Sequence, residues 1–297
     1  MLKILPCLDS DEMAECRRRE LDLPRGRAAA LGTSAVDAAK IGYYVYGTDT
    51  KVDWSRQVQA AYSAKVSIAP NVALPSVSSP TFNETQIQIT NETTFGASRR
   101  LIDNGSRPVA LNFANGIYPG GGFLHGARAQ EETICRSSAL YYTLVDDRMY
   151  SEHLKRPRPD STDWAIYSPD VPVFRSDNGT ELEDFWLMSF ITCAAPYAPG
   201  IGQPESGDLL QQRIHRVLAI AHAYGYSSLV LGAWGCGAFE NDVYRTANDF
   251  RCAIENEFRG AFAEIVFAIT DWSRERKFLG PFRDTFKQQP VDGRSVK

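Results

Sequence analysis

Two glycine-rich segments, each placed between a strand-like run and a helix-like run, constrain the fold of this chain more than any other feature. The first covers residues 120–130 and follows the apolar run 109–113. The second covers residues 235–242 and follows the buried-strand pattern 229–231. In open α/β sheets, ligands bind beyond the carboxyl ends of the strands, where loop backbone and helix N-termini favour phosphate. Both segments therefore predict ligand-binding loops at the edge of an α/β sheet.

From residue 86 onward, strand-like and helix-like patterns alternate. The predicted strands span residues 86–90, 109–113, 164–174, 186–194, 229–231 and 264–269. The predicted helices span residues 91–104, 131–144 and 208–225, followed by one over residues 243–258. Asn91 and Asp208 are expected to cap two of these helices, and Pro169 and Pro172 to break the third strand. This alternation predicts the α/β class, with a mixed β-sheet sandwiched between helices.

The N-terminal part of the chain has a different, mainly helical pattern. Charged and apolar residues predict one helix from about residue 10 and a second that ends at Gly42, a plausible C-cap. A stretch with three prolines and several serines, residues 70–80, predicts the seam that follows. We therefore expect residues 1–85 to form a helical extension packed on a catalytic domain of residues 86–297.

Composition excludes several classes of function. The net charge of −4 and the pI of about 5.7 provide no global basic field, so direct binding to duplex nucleic acid is not expected. Six scattered cysteines without a CxxC pair are expected to be reduced thiols, which favours a cytoplasmic location, or a nuclear one in a eukaryote. No signal peptide and no membrane span are predicted, because long apolar runs are absent.

Three glycines and two acids in one short segment suggest chemistry on a bound ligand. Consecutive glycines let a backbone approach a ligand that a Cβ would repel, and adjacent carboxylates suggest acid/base catalysis. Neither glycine-rich segment has the spacing of a Walker A motif or of a Rossmann fingerprint. The residues alone favour a diphosphate-bearing ligand with a carboxylate nearby. The alternative is that Gly235 and Gly237 only make a tight turn.

The same segments resemble the bacterial-type poly(ADP-ribose) glycohydrolases of the macrodomain superfamily. The first carries their GGG-x7-QEE signature, preceded by Asn-Phe-Ala-Asn at residues 112–115. Further similar segments are residues 135–141, 167–175, 232–242 and 267–269, so that the likeness extends over about residues 32–271. The resemblance implies a macrodomain that binds ADP-ribose and hydrolyses the ribose–ribose glycosidic bond of poly(ADP-ribose). No cofactor and no metal are expected.

The resemblance also implies roles for individual residues. Glu132 is the catalytic acid, Glu131 and Asn115 position the riboses, and Phe239 packs on the ribose beside the scissile bond. The expected ligand-binding residues are Asn115, Gly120, Gly121, Gly122, Gln130, Gly235, Cys236, Gly237, Ala238 and Phe239. Glycoside cleavage needs a proton on the leaving oxygen, which a carboxylic acid of raised pKa supplies. Adjacent helical side chains face different ways, so one of the two glutamates is expected to do the chemistry.

Two other functions stay open. A related enzyme would remove single ADP-ribose units from a protein side chain or a nucleic acid. A non-catalytic ADP-ribose reader is the third possibility, although the presence of both carboxylates argues against it. The expected partners are ADP-ribose, poly(ADP-ribose) and ADP-ribosylated proteins, in the reversal of ADP-ribosylation during a DNA damage response.

Several lesser candidates have two interpretations. His125 could face the ligand or lie exposed in its loop, and Asp271 could touch the adenine or cap a helix. Trp234 is expected to pack behind the second loop, the alternative being that it stacks on the adenine, and Cys236 is expected to pack there without a catalytic role. His215 and His222 lie seven residues apart without an obvious partner, so a metal site is not predicted.

Overall fold

The computed structural model describes residues 1–77 and 79–287. The strands are β1 (Leu2–Ile4), β2 (Tyr43–Tyr46), β3 (Thr50–Asp53), β4 (Val66–Ile68), β5 (Thr85–Thr90), β6 (Pro108–Ala114), β7 (Ala165–Arg175), β8 (Glu181–Ala194), β9 (Ser228–Leu231) and β10 (Glu264–Ala268). The helices are α1 (Asp11–Leu21), α2 (Arg25–Ile41), α3 (Ser55–Ala64), α4 (Thr94–Asp103), α5 (Gln130–Ser137), α6 (Leu140–Leu144), α7 (Arg148–Leu154), α8 (Ala198–Ile201), α9 (Glu205–Ala223), α10 (Val243–Glu255) and α11 (Leu279–Thr285). Within the described part of the chain, no helix is long and apolar enough to cross a membrane.

Eight strands form one mixed sheet in the order β1-β5-β10-β9-β6-β8-β7-β4, and β2 pairs with β3 in a separate antiparallel ribbon. The adjacent pairs β1–β5, β5–β10, β10–β9, β9–β6 and β6–β8 are parallel. The pairs β8–β7 and β7–β4 are antiparallel. Because β5, β10, β9 and β6 are parallel neighbours, the loops that follow them meet at one edge of the sheet. The predicted mixed α/β sheet is confirmed.

Helices cover both faces of the large sheet. Leu229 and Leu231 of β9 belong to one apolar cluster, which includes Phe250 of α10. Val230 lies between them in the sequence and belongs to a second cluster, which includes Phe95 of α4. Successive side chains of a strand point to opposite faces, so this alternation shows that β9 is buried on both sides.

The first 85 residues contribute strands to both edges of the large sheet. Strand β1 pairs with β5 at one edge, and β4 pairs with β7 at the other. Helices α1, α2 and α3 lie in the same segment, and α2 ends at Gly42 as expected. The division into an extension of residues 1–85 and a domain of residues 86–297 remains a prediction, and the last ten positions of that domain lie outside the described residues.

One predicted helix cap is wrong because its side chain is used elsewhere. Helix α4 is capped by Thr93, whose hydroxyl accepts a hydrogen bond from the Gly96 N–H at 2.8 Å. Asn91 is fully buried, and its amide donates to the Asp9 carboxylate at 2.8 Å and to the Asp271 carbonyl at 2.7 Å. Asn91 therefore joins three distant parts of the chain.

The predicted cap of α9 is also wrong. The helix begins at Glu205 after Pro204, which places Asp208 within its first turn, where the carboxylate pairs with Arg245. A negative charge in the first turn of a helix is favourable even when the side chain does not cap the helix. The position of Asp208 therefore did not reveal that α9 begins at Glu205.

The structure divides one predicted helix and leaves a strand that was predicted to be broken continuous. The expected helix over residues 131–144 is divided into α5 and α6 at Ser138, whose backbone is extended and whose hydroxyl accepts the Leu140 N–H at 3.2 Å. The two prolines of the third predicted strand do not end it. Strand β7 contains both Pro169 and Pro172 and continues through an irregularity in its pairing with β8.

Candidate active site

A cavity of about 360 Å³ lies where the loops after β5, β6, β9 and β10 meet. Its wall includes the end of β6 with Asn115, the start of α5 and most of the second glycine-rich loop. The predicted residues that line the cavity are Asn115, Gln130, Glu131, Glu132, Gly235, Gly237, Ala238 and Phe239. The sheet therefore brings both predicted loops to one site.

Glu131 is held against strand β6. It is 3% exposed, and its carboxyl accepts the Asn115 backbone N–H at 2.7 Å and the Asn112 amide at 3.3 Å. Burial raises the pKa of Glu131 to about 8, against the opposing effect of these donors. A proton is therefore retained on this carboxyl at neutral pH.

Glu132 has one fixed oxygen and one without a partner. Its Oε1 accepts the Gly122 N–H at 3.0 Å. Its Oε2 is buried and has no hydrogen-bond partner among the described residues. Glu132 lines the cavity, and Oε2 is the oxygen that its protein partners leave without a hydrogen bond. The orientation of the carboxyl is thus set by a backbone donor without occupying both oxygens.

The glycine triplet packs on the two acids. The φ of Gly121 is 59°, and a Cβ there would lie 2.4 Å from Glu132 Oε1 and 3.1 Å from Glu131 Oε2. In the described structure, Gly120, Gly121 and Gly122 are not among the residues that line the cavity. The close approach that these glycines permit is therefore to the carboxylates of the protein itself.

Gln130 fastens the start of α5 to strand β6. Its side-chain oxygen accepts the Phe113 N–H at 2.9 Å, and its amide donates to the Leu111 carbonyl at 2.7 Å and the Thr94 hydroxyl at 3.1 Å. Gln130 lines the cavity, yet its polar atoms are engaged by the protein. Its role in the free protein is to set the register between helix and strand.

Asn115 forms the turn that follows β6. Its side-chain oxygen accepts the N–H groups of Ile117 and Tyr118, both at 2.9 Å. Buried His153, which the sequence did not suggest, holds the next residue through the Gly116 carbonyl at 3.0 Å from Nδ1. The turn is therefore fixed from both sides before any ligand binds.

The second loop is shaped by a buried asparagine that the sequence did not indicate. The Asn241 amide donates to the Pro196 carbonyl at 2.9 Å and to the Gly235 carbonyl at 3.1 Å. Its oxygen accepts the Ser206 hydroxyl at 2.6 Å. Gly235 has a φ of 74°, and a Cβ there would lie 2.7 Å from the Ala195 Cβ. In the sequence, the one local indication of this role of Asn241 is its position beside Asp242, the capping residue of α10.

The tip of the second loop offers backbone donors to the cavity. The N–H groups of Gly237, Ala238 and Phe239 donate to no acceptor among the described residues. Successive free N–H groups of this kind form an anion-binding concavity. Cys236 is 5% exposed and does not line the cavity, and its thiol lies 3.4 Å from the Trp234 carbonyl.

Aromatic side chains close the far end of the cavity. Trp272 is 46% exposed, and it lines the cavity together with Phe278 and Leu21 of α1. Asp271 does not line the cavity. Its carboxylate accepts the Phe278 N–H at 2.7 Å and the Leu279 N–H at 3.1 Å, so it holds the start of α11 from outside the helix, whose N-cap residue is Phe278.

Of the remaining candidates, Trp234 lines the cavity and His125 does not. His125 is exposed at the surface, and its carbonyl accepts the Arg25 guanidinium at 2.9 Å. Trp234 is fully buried immediately before the second loop, and it is part of the cavity wall. The described residues contain no cluster of His, Cys, Asp and Glu that could hold a metal ion.

Several solved structures are similar to this chain in both sequence and fold. The family model of the microbial-type PARG catalytic domain matches residues 33–176. A poly(ADP-ribose) glycohydrolase structure from Thermomonospora curvata is 36% identical, with a TM-score of 0.80, and the match covers 88% of this chain and 100% of that one. A Deinococcus radiodurans poly(ADP-ribose) glycohydrolase in complex with ADP-ribose is also 36% identical, with a TM-score of 0.71. This match covers 79% of this chain and 98% of that one. No curated protein sequence matches the chain.

The predicted macrodomain fold is confirmed by these structural matches. Identity of 36% over the full length of the Thermomonospora curvata structure is far above what a shared fold alone would require. The chain therefore belongs to the microbial-type poly(ADP-ribose) glycohydrolase family.

Proposed function

We propose that this protein hydrolyses the ribose–ribose O-glycosidic bonds of poly(ADP-ribose) and releases ADP-ribose. Membership of the family makes the chain a glycosidase. The observation that carries the assignment of the chemistry is the Glu132 carboxyl, with one oxygen held by the Gly122 N–H and the other without a protein partner. The related Deinococcus radiodurans enzyme in complex with ADP-ribose supports ADP-ribose as the ligand of this chain.

The acid pair supplies the proton that glycoside cleavage needs. Burial and the neighbouring Glu132 raise the pKa of Glu131 to about 8, so Glu131 keeps a proton beside Glu132 at neutral pH and can pass it to Glu132. The bond between the anomeric carbon and the neighbouring ribose oxygen breaks, and Glu132 gives its proton to that oxygen. Water then adds its hydroxyl to the oxocarbenium-like carbon and returns a proton to Glu132.

The second loop provides the affinity for the ligand. The three unpaired N–H groups at its tip donate to the diphosphate, which needs no net positive charge on the protein. Phe239, whose ring lies edge-on to Tyr197 with centroids 5.6 Å apart, packs on the ribose beside the scissile bond. Asn115 positions a ribose hydroxyl, and Trp272 and Phe278 contact the adenine at the far end.

The wider role is part of the same proposal. ADP-ribosylated proteins are the expected carriers of the substrate, in the reversal of ADP-ribosylation. All six cysteines are unpaired, which fits a reducing compartment such as the cytoplasm. Neither a membrane nor duplex nucleic acid is proposed as a partner, since the net charge is −4.

A polymer-release assay tests this function. The wild type is expected to release ADP-ribose from poly(ADP-ribose), and Glu132→Gln to slow release by at least about a hundredfold, the lower range for general acid–base catalysis. Glu183→Gln, at an exposed position of β8, is the matched control and should keep the wild-type rate. Mono-ADP-ribosylated protein assayed in parallel separates this function from mono-ADP-ribosyl hydrolysis. ADP-ribose binding without release of any product would identify a reader and refute the proposal.

A further inference from the structure

Arg136 is a buried cation without a hydrogen-bond partner, one helical turn beyond the catalytic acid. It lies on α5 four residues after Glu132, so both side chains are on the same face of the helix. The side chain is fully buried. All three guanidinium nitrogens lack a hydrogen-bond partner among the described residues. A buried charge without a hydrogen-bond partner opposes folding. Stabilisation of the fold therefore does not explain why an arginine occupies this position.

Two other buried arginines of this protein show what a structural arginine looks like. Arg213 is 2% exposed, and its guanidinium donates to the Ala194 carbonyl at 3.0 Å and to the Asp160 carbonyl. Arg175 is 5% exposed and pairs with Glu181 at 3.0 Å. Both fasten backbone or a carboxylate directly. The Arg136 guanidinium does neither. The backbone carbonyl of Arg136 accepts a hydrogen bond from the Arg175 guanidinium at 3.2 Å.

The charges near Arg136 belong to the active site. Glu132 and Asp177 attract its guanidinium, and Arg128 repels it. Asp177 and Arg128 both line the cavity, and the Asp177 carboxylate accepts the Thr93 hydroxyl at 2.7 Å. Arg136 thus lies behind the cavity wall, close to the carboxylates that a substrate meets.

The groups that face the acid pair come from several elements. Glu131, Cys135 and Arg136 share α5 with Glu132, Arg128 precedes that helix, Asp177 follows β7 and Tyr150 lies on α7. Burial raises the pKa of the Cys135 thiol and of the Tyr150 phenol well above their ordinary values, so both are neutral at physiological pH. Among these described groups, the two arginines are the cations, and Arg136 is the one removed from solvent.

We propose that Arg136 is a positioning residue that acts through Glu132, its fixed charge stabilising the carboxylate that forms when Glu132 protonates the leaving oxygen. The inference rests on the proposed function. A guanidinium stays protonated even when buried, so its charge is constant throughout the cycle. A preorganised charge of this kind is most effective in a site that excludes water.

Arg136→Met tests the proposal, because methionine fills similar space without charge. We expect kcat for polymer release to fall at least about tenfold. The alkaline limb of the kcat–pH profile should move up by about one pH unit, the lower range for losing a nearby opposite charge. The midpoint of thermal unfolding should stay equal or rise, since an unpartnered buried charge is removed. ADP-ribose affinity, measured by calorimetry, should stay within about threefold of the wild type, because the guanidinium does not line the cavity.

Two further variants complete the experiment. Arg136→Lys keeps the charge, and its alkaline limb should lie within about 0.3 pH unit of the wild type. Arg213→Gln removes a hydrogen-bonded buried arginine and should lower the unfolding midpoint without moving the limb. An unmoved limb in Arg136→Met, or a loss of folding in that variant, would show a purely structural arginine and overturn the inference. A wild type that releases no ADP-ribose would instead overturn the function.

Discussion

The two glycine-rich loops are alike in sequence and different in what their backbones approach. In the first, Gly121 and Gly122 pack against the Glu131 and Glu132 carboxyls. In the second, the backbone N–H groups of its tip, with Gly237 among them, are left to the cavity. In the proposed mechanism, the first loop therefore fixes the geometry of the acids and so sets turnover. The second loop provides donors for the diphosphate and so sets affinity. Glycine content indicates close approach, whereas only the fold reveals the partner.

Among the loop variants, the largest effect is expected from Gly121→Ala. The new Cβ would lie 2.4 Å from Glu132 Oε1 at a φ of 59°, so the carboxyl or the loop must move. We expect turnover of the polymer to fall by about a hundredfold, equivalent to about 2.7 kcal/mol of transition-state stabilisation. The Kd for ADP-ribose should change by less than about fivefold, because the second loop is untouched.

Gly105→Ala is the matched control for this variant. Gly105 also has a left-handed φ, 89°, but a Cβ there meets no atom within 4 Å. It shares the backbone strain and lacks the contact with the acids. If Gly105→Ala lost as much turnover as Gly121→Ala, general destabilisation would explain both, and the assigned role of the first loop would be wrong.

A smaller effect, on affinity, is expected from Gly235→Ala. The added Cβ would lie 2.7 Å from the Ala195 Cβ and 2.9 Å from the Asn241 amide that shapes the loop. We expect the Kd for ADP-ribose to rise about tenfold, or about 1.4 kcal/mol, with a smaller change in single-turnover cleavage at saturating polymer. Gly225→Ala is the control, since its φ is also 74° and its Cβ would meet no atom within 4 Å. A loss confined to cleavage would reverse the assignment of the two loops.

The sequence located both loops and missed what holds them. Glycines, acids and the strand–loop–helix order are local patterns, so the site residues and the α/β class could be predicted. Asn241, His153 and Asn112 fasten the loops through partners that are distant in sequence, such as the Pro196 carbonyl for Asn241. No local pattern encodes such a pairing before the strands are assembled.

The misplaced helix caps have the same cause. Asn91 is a good capping residue by type, yet its amide bonds Asp271, 180 residues away, and Thr93 caps α4 in its place. Arg136 was similarly invisible, because a charged residue in a helix is usually solvated. The burial that makes it notable arises when α5 packs between the sheet and α2.

A separate effect, on stability rather than on turnover or affinity, concerns Glu131, whose burial accompanies the geometry of the first loop. In the unfolded chain its pKa has the ordinary value of 4.5, and in the folded chain it is about 8. Between these values the folded state binds more protons, so the free energy of unfolding should fall as the pH rises from about 5 to 8. The slope from this group is below about 1.4 kcal/mol per pH unit.

Glu131→Gln removes this contribution. Urea unfolding of the wild type and of the variant, measured between about pH 5 and 8, should give a flatter pH dependence for Glu131→Gln. Equal slopes in the two proteins would mean that Glu131 is ionised in the folded state, and the acid pair would then hold its proton elsewhere.

The most direct test of the division between acids and donors is made on Glu132→Gln. Its Kd for ADP-ribose is measured by calorimetry, beside its single-turnover rate of release from poly(ADP-ribose). The account predicts a Kd within about threefold of the wild type and a rate lowered by at least about a hundredfold. Release at the wild-type rate, or loss of ADP-ribose binding together with release, would contradict it.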